Sequence, residues 1–150
     1  YFSVGEARFL VDLPGYGFAK APLAQQHGWQ RLIGGYLAQR EQIAGLVLIM
    51  DIRHLFTPLD VQMLNWYRNA GRPVMLLLSK ADKLARGARM AALQQARAWL
   101  AREAFDCQVL VFSSVSREGV DEAETVVREW LMLAKKNGPA QGEKAGPGSP

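Results

Sequence analysis

Three short strings with polar residues each follow a run of apolar residues, and their side chains could bind a nucleotide. The strings are Asp12-Leu13-Pro14-Gly15, Ser79-Lys80-Ala81-Asp82 and Phe112-Ser113-Ser114. Such runs are typical of the buried strands of a parallel sheet, whose carboxyl ends share one edge. We therefore expect the three strings to meet at that edge, where α/β proteins bind their ligands.

The first string has residues suited to the phosphate side of such a site. The Asp12 carboxylate can hold Mg²⁺ through a water molecule. Because Gly15 has no side chain, a backbone N–H there can approach a terminal phosphate closely. On its own, the string more often marks an ordinary turn between a strand and a helix.

The second and third strings have residues suited to a guanine base. The Asp82 carboxylate can accept hydrogen bonds from both N1–H and the exocyclic amine of guanine, a pair of donors that adenine lacks. The aliphatic stem and the charge of Lys80 can cover the face of the base. In the third string, the Ser114 N–H could donate to guanine O6, and Ser113 could steady Asp82. A charged loop that ends a strand is the alternative interpretation of the second string, and the third string alone indicates little.

The rest of the sequence predicts the elements that would position these strings. Residues 1–12 read as a β-hairpin, because two short alternating segments flank a turn at Gly5 and Glu6. Continuous apolar runs predict strands buried on both faces at 46–50 and 74–78, and a third short strand is predicted at 109–112. Apolar residues at helical spacing predict four helices, which start near positions 22, 57, 88 and 123. Strands that alternate with helices predict an α/β domain with a mostly parallel sheet.

The order of the strings resembles that of the third, fourth and fifth nucleotide motifs of translation-factor-type GTPases. Asp12 and Asp82 are 70 residues apart, and Asp82 and Ser113 are 31 apart. The chain is similar, over residues 1 to about 134, to the EngB family (also called YihA or YsxC) of bacterial GTP-binding proteins. Four stretches carry this resemblance: Asp12-Leu13-Pro14-Gly15-Tyr16-Gly17, Trp29-Gln30, Asp51-Ile52-Arg53-His54 and Lys80-Ala81-Asp82-Lys83-Leu84.

The resemblance implies a fold, a function and a set of site residues. The fold is a Ras-like P-loop GTPase domain over residues 1–136, with a mostly parallel sheet flanked by helices. The function is that of a slow GTPase switch that binds GTP, GDP and Mg²⁺ and assists assembly of the large ribosomal subunit; the family is also associated with division septum formation and normal cell division. By the family pattern, the first string serves phosphate and Mg²⁺, the second binds guanine and the third closes over the base.

The sequence departs from the family pattern at three points. Ser79 stands where the family has Asn or Thr, and serine keeps the hydroxyl that threonine has. Leu55 follows His54 where the family usually has Pro. The 150 residues contain no G-x-x-x-x-G-K-[ST] phosphate loop and no switch threonine. In the family, both lie upstream of the first strand and turn seen here. We therefore expect a chain truncated at its amino terminus, without the first strand and inactive alone.

Composition and charge narrow the class of protein. The chain has 18 Lys and Arg against 14 Asp and Glu, a net charge of +4 that permits an RNA partner. Residues 83–102 contain five basic residues and no acidic one, which indicates either contact with phosphate or a solvated helix face. A single cysteine, Cys107, fits a reducing compartment, and neither a leader nor a membrane-length apolar run is visible. The glycine- and proline-rich residues 137–150 predict a disordered tail.

These observations complete the expectations for location and partners. We expect a cytoplasmic monomer whose partners are the large ribosomal subunit and its rRNA, with neither membrane nor DNA involved. The alternative is an RNA- or ribosome-binding α/β module that does not use a nucleotide. Arg53 could contact a phosphate or form an ion pair, and the four tryptophans are expected to pack in the core.

Overall fold

The computed structural model describes residues 2–5, 7–13 and 23–136. The predicted tail at 137–150, and Pro14 and Gly15 of the first string, lie outside the described residues. The strands are β1 (Phe2–Ser3), β2 (Phe9–Leu10), β3 (Leu46–Asp51), β4 (Val74–Ser79) and β5 (Gln108–Val111). The helices are α1 (Leu23–Gln39), α2 (Pro58–Tyr67), α3 (Arg86–Arg102) and α4 (Val120–Lys136), with short 3₁₀ turns at Arg68–Ala70 and Ala81–Lys83.

The main sheet is parallel and has the order β3-β4-β5. Its register pairs Leu46 with Val74 at the start of β3 and Asp51 with Ser79 at its end. Strand β5 continues the sheet on the other side of β4. The parallel sheet is therefore confirmed, and its register brings the carboxyl ends of β3 and β4 to the same level.

The predicted amino-terminal hairpin is also confirmed, although its strands are short. Strands β1 and β2 pair antiparallel, with Phe2 opposite Leu10 and Ser3 opposite Phe9. Within the described residues they form a two-stranded sheet of their own, separate from the parallel sheet. The hairpin leads directly to Asp12 and thus delivers the first string.

Helices cover the two faces of the parallel sheet. On one face, Leu76 and Leu78 of β4 pack in a large core with α1, α2 and α3. On the other face, Met75 and Leu77 pack with α4 through Ala123 and Val126. Strand β4 is therefore buried on both sides, which is the reason for its continuous apolar sequence.

The prediction that β3 is buried on both faces is wrong. Its Ile49 side chain is 57% exposed, whereas Leu48 and Met50 on the opposite face are 2% exposed. The physical reason is the position of β3 in the sheet: within the described residues it has one neighbouring strand, β4, and α4 packs mainly over the other two strands.

Two further predictions about helices can be checked. Helix α2 begins where Thr57-Pro58 predicts, because Thr57 and Asp60 form a reciprocal capping box and Pro58 occupies the first turn. Helix α3 begins at Arg86, two residues before the predicted start.

The predicted core packing of the tryptophans is confirmed. Trp29, Trp66 and Trp99 contact the larger core cluster, and Trp130 contacts the smaller one. No helix in the described part of the chain is long and apolar enough to cross a membrane.

Candidate functional site

The carboxyl edge of the parallel sheet brings the second and third strings together. The Ala81 N–H donates to the Phe112 carbonyl at 3.1 Å, which links the loop after β4 to the loop after β5. The Ser79 hydroxyl donates to the Met50 carbonyl at 2.8 Å, and this bond links the end of β4 to β3. The sequence prediction of a shared edge is thus confirmed for these two strings.

A hydrogen bond at this edge fixes the carboxylate of Asp82. The hydroxyl of Ser113, which is 0% exposed, donates to Asp82 Oδ1 at 2.7 Å. The Ser116 N–H in turn donates to Ser113 Oγ at 3.1 Å, which orients the hydroxyl. The bond from Ser113 is the main cause that lowers the pKa of Asp82, so the carboxylate is an ionised acceptor at neutral pH. The predicted contact between Ser113 and Asp82 is therefore present.

Gly119 shapes the loop that carries Ser113, and the sequence analysis did not single it out. The Ser113 N–H donates to the Glu118 carbonyl at 3.0 Å, which closes this loop. Gly119 has a φ of +75°, and a Cβ there would lie 2.1 Å from the Val111 carbonyl oxygen. No side chain fits that space, so the loop requires glycine at this position. The Glu-Gly pair was the available sequence signal for such a turn.

Beside Asp82, the side chains of Asp51, Arg53 and Lys80 form an ionic cluster. Arg53 donates to both carboxylate oxygens of Asp51, through Nε at 3.0 Å and Nη2 at 2.8 Å. Lys80 Nζ lies 3.1 Å from Asp51 Oδ2. The bonds from Arg53 hold the pKa of Asp51 well below its usual range. Of the two sequence interpretations of Arg53, the structure shows the ion pair.

The first string lies along a groove that also reaches this cluster. Asp12, which is exposed, and Leu13, which is half-buried, line a groove of about 1240 Å³ between the hairpin, β3 and α4. Asp51, Lys80 and Phe112 line the same groove. Most of its remaining lining is apolar and comes from the hairpin, β3 and α4. The described part of the first string therefore lines the same concave surface as Lys80 of the second string and Phe112 of the third.

The described residues do not by themselves make a magnesium site. Within residues 2–5, 7–13 and 23–136, no three His, Cys, Asp or Glu side chains lie together as ligands for a metal ion. Asp12 can supply one carboxylate, which is enough for a contact through water and too little for a protein-built site. Its predicted role with Mg²⁺ therefore stays a prediction.

Arginines of the basic segment 83–102 differ in their contacts: one forms a hydrogen bond and an ion pair within the protein, and others are exposed. Arg89 donates to the Leu84 carbonyl at 2.9 Å and forms a 2.5 Å ion pair with Glu118. It therefore ties α3 to the loop before Gly119. Arg86 and Arg97 are exposed on the surface of α3. Of these three arginines, Arg86 and Arg97 are the ones open to an anionic partner.

Comparison with solved structures defines the class of this domain. The crystal structure of the bacterial selenocysteine-specific elongation factor EF-Sec superposes with a TM-score of 0.57 and 21% identity, over 69% of this chain and 18% of that one. The parallel sheet flanked by helices is thus the α/β fold of a P-loop GTPase domain.

Comparison of sequences then identifies the family, although no family model matches the chain. A "Probable GTP-binding protein EngB" of Methylobacillus flagellatus is 52% identical over 139 residues, which cover 93% of this chain and 67% of the relative. The protein of the same name from Dechloromonas aromatica is 46% identical over 153 residues, covering 99% and 70% respectively. The chain belongs to the EngB family and spans about two thirds of the length of these relatives.

Proposed function

We propose that this chain carries the guanine-recognising part of a GTP-binding protein. The observation that carries the proposal is the Asp82 carboxylate, which buried Ser113 fixes at the carboxyl edge of the sheet. An ionised carboxylate presents acceptors to N1–H and the exocyclic amine of guanine, whereas adenine would leave it without both donors. The relatives named as probable GTP-binding proteins support the same conclusion.

The neighbouring residues take roles that fit their contacts. The stem of Lys80 covers one face of the base, and the exposed Ser114 offers its N–H to guanine O6. The backbone bond from Ala81 to Phe112 and the side-chain bond from Ser79 hold the two loops at a fixed spacing. Ser79 thus uses a hydroxyl that it shares with threonine, one of the two residues that the family has at this position.

The phosphate side of the nucleotide is assigned to the first string. Asp12 would contact Mg²⁺ through water, and the turn through Leu13, Pro14 and Gly15 would bring the Gly15 N–H to the terminal phosphate. When bound, Mg²⁺ would neutralise charge on the phosphates. Slow GTP hydrolysis further requires a phosphate loop, which relatives of greater length would supply ahead of this string.

Base selectivity tests this proposal. We use an extended protein, in which residues 1–150 are joined at Tyr1 to the preceding segment of the Methylobacillus flagellatus relative. GDP should displace a fluorescent GDP analogue at concentrations on the order of 10²- to 10⁴-fold lower than those that ADP requires. The reason is that adenine forfeits two charge-assisted hydrogen bonds of about 1.5–3 kcal/mol each. Equal displacement by GDP and ADP would contradict a guanine site at Asp82.

We further propose that the protein assists assembly of the large ribosomal subunit, and that it has a consequent role in cell division, as the family resemblance implies. In this proposal, the exposed side of α3 contacts rRNA. The support is the pair of exposed arginines, Arg86 and Arg97, in a segment without acidic residues. The same surface would serve a module that binds RNA without a nucleotide.

Removal of those two charges should make ribosome binding less sensitive to salt. Each lost phosphate contact reduces the slope of log affinity against log salt by about 0.7–0.9, so Arg86→Ala with Arg97→Ala should reduce it by somewhat under two units. Co-sedimentation with large subunits at several salt concentrations measures the slope. The control, Arg31→Ala with Arg128→Ala, removes the same charge elsewhere and should leave the slope unchanged. An unchanged slope in the α3 variant would contradict the contact of α3 with rRNA. Equal binding to large subunits with GDP, with GTP and without nucleotide would favour the nucleotide-independent module.

A further inference from the structure

We propose that Asp51 and Arg53 are positioning residues for Lys80: they hold its ammonium group so that its stem lies ready against the base. This inference rests on the proposed function, because it concerns how one residue of the base site is held. The roles of Asp51 and Arg53 follow from their own contacts, which join the end of β3 to the loop after β4.

Arg53 orients the carboxylate of Asp51 that Lys80 contacts. Arg53 supplies three donors: its backbone N–H and Nε each reach Asp51 Oδ1 at 3.0 Å, and Nη2 reaches Oδ2 at 2.8 Å. A planar guanidinium that binds both oxygens allows the carboxylate a single orientation. The Lys80 ammonium then lies 3.1 Å from Oδ2. Its position is therefore set by a carboxylate that Arg53 orients.

The loop that carries Arg53 is itself held at both ends. Ile52, which is 2% exposed, donates its N–H to the Ser79 carbonyl at 2.9 Å. At the far end, the ring of Phe56 stacks on Trp99 with centroids 3.9 Å apart, and Thr57 begins the capping box of α2. Arg53 thus projects from a short segment anchored to the core, and this segment positions its hydrogen bonds to Asp51.

Lys80 needs such support because its side chain is exposed. With 58% of its side chain exposed and four rotatable bonds, it would lose conformational freedom when it covers a base. An ion pair formed in advance reduces that loss, which is the general advantage of preorganisation. An exposed pair contributes about 0.2–1 kcal/mol, so its loss should lower the affinity for guanine nucleotides up to about five-fold.

A double-mutant cycle in the extended protein tests whether Asp51 acts through Lys80. Asp51→Asn should lower the affinity for a fluorescent GDP analogue about 1.4- to five-fold. Lys80→Met, which keeps an apolar stem, should also lower it, and the double variant should bind no more weakly than Lys80→Met alone. High salt should reduce the effect of Asp51→Asn, because it screens an exposed pair. Arg53→Lys, which keeps the charge and loses the planar fork, should reproduce part of the loss.

Two controls separate positioning from loss of folding. Asp106→Asn makes the same chemical change just before β5, at the opposite edge of the sheet, and should leave the affinity unchanged. Asp51→Asn should still unfold in a cooperative transition, lowered only slightly by the loss of an exposed ion pair, because the backbone bond from Ile52 to Ser79 does not involve the side chain.

The outcomes distinguish this inference from the proposed function. If Asp51→Asn has no effect, or if its effect adds fully to that of Lys80→Met, Asp51 does not act through Lys80 and the positioning role is wrong, while the base site stands. If Lys80→Met and Asp82→Asn both leave guanine affinity unchanged, the base site is wrong and the positioning role falls with it.

Discussion

Asp82→Asn is expected to shift the base preference of the extended protein from guanine to xanthine. The carboxylate accepts from N1–H and from the exocyclic amine of guanine, whereas the amide that replaces it presents a donor to position 2 of the base. That donor opposes the amine of guanine and matches the carbonyl of xanthine. The lost charge-assisted bond alone is worth about 1.5–3 kcal/mol, so guanine affinity should fall at least about ten- to 100-fold.

Direct titration of the parent and the variant with fluorescent analogues of GDP and xanthosine diphosphate measures this exchange. The variant should bind the GDP analogue more weakly than the parent does, and it should bind the xanthosine diphosphate analogue more strongly. Asp121→Asn, at an exposed position on α4, is the matched control and should leave both nucleotides unaffected. Equal guanine affinity in the parent and Asp82→Asn would remove Asp82 from the base site.

Joining the chain to the preceding segment of a relative is expected to raise the free energy of unfolding. The resemblance to the EngB family implies a further strand between the strand that precedes Asp12 and the strand that ends at Asp51. In this chain the corresponding space is the apolar groove between the hairpin, β3 and α4, where Ile49 is 57% exposed. Each large side chain that the added strand buries contributes about 1.5–3 kcal/mol, against a total stability of about 5–15 kcal/mol for an ordinary domain.

Thermal unfolding and nucleotide binding should therefore change together. Residues 1–150 alone should unfold without a sharp transition or aggregate, and should bind the GDP analogue poorly. The extended protein should unfold cooperatively and bind it. Ile49→Asp in the extended protein should reverse the gain, whereas Met90→Asp, at an exposed site on α3, should be tolerated. A sharp transition and micromolar affinity in residues 1–150 alone would show that the added segment is not needed.

The parts of the fold set by local sequence could be predicted. The run at 74–78 is apolar at every position, which is typical of strands buried on both faces, and it forms the middle strand of the described parallel sheet. Thr57-Pro58 marked the start of α2, because a cap and a proline act within one turn. The contact of Ser113 with Asp82 could be anticipated, because adjacent parallel strands place their ends at one edge.

The parts set by distant neighbours could not be predicted in the same way. The sequence at 46–50 resembles that at 74–78, yet Ile49 is exposed, because burial depends on which elements lie next to the strand. Arg89 looked like one of several basic residues on a helix, and its pairing with Glu118 joins positions 29 residues apart. An ion pair was one of two open interpretations of Arg53, and only the geometry of the loop shows that Asp51 is its partner.

A crystal structure of the extended protein with GDP would show whether Asp82, Lys80 and the loop after β5 surround a guanine base. We expect both Asp82 carboxylate oxygens within hydrogen-bond distance of N1 and the exocyclic amine, with the Ser113 bond retained and the stem of Lys80 across the base. A guanine bound elsewhere, with Asp82 making no contact to it, would exclude Asp82 as the residue that selects the base.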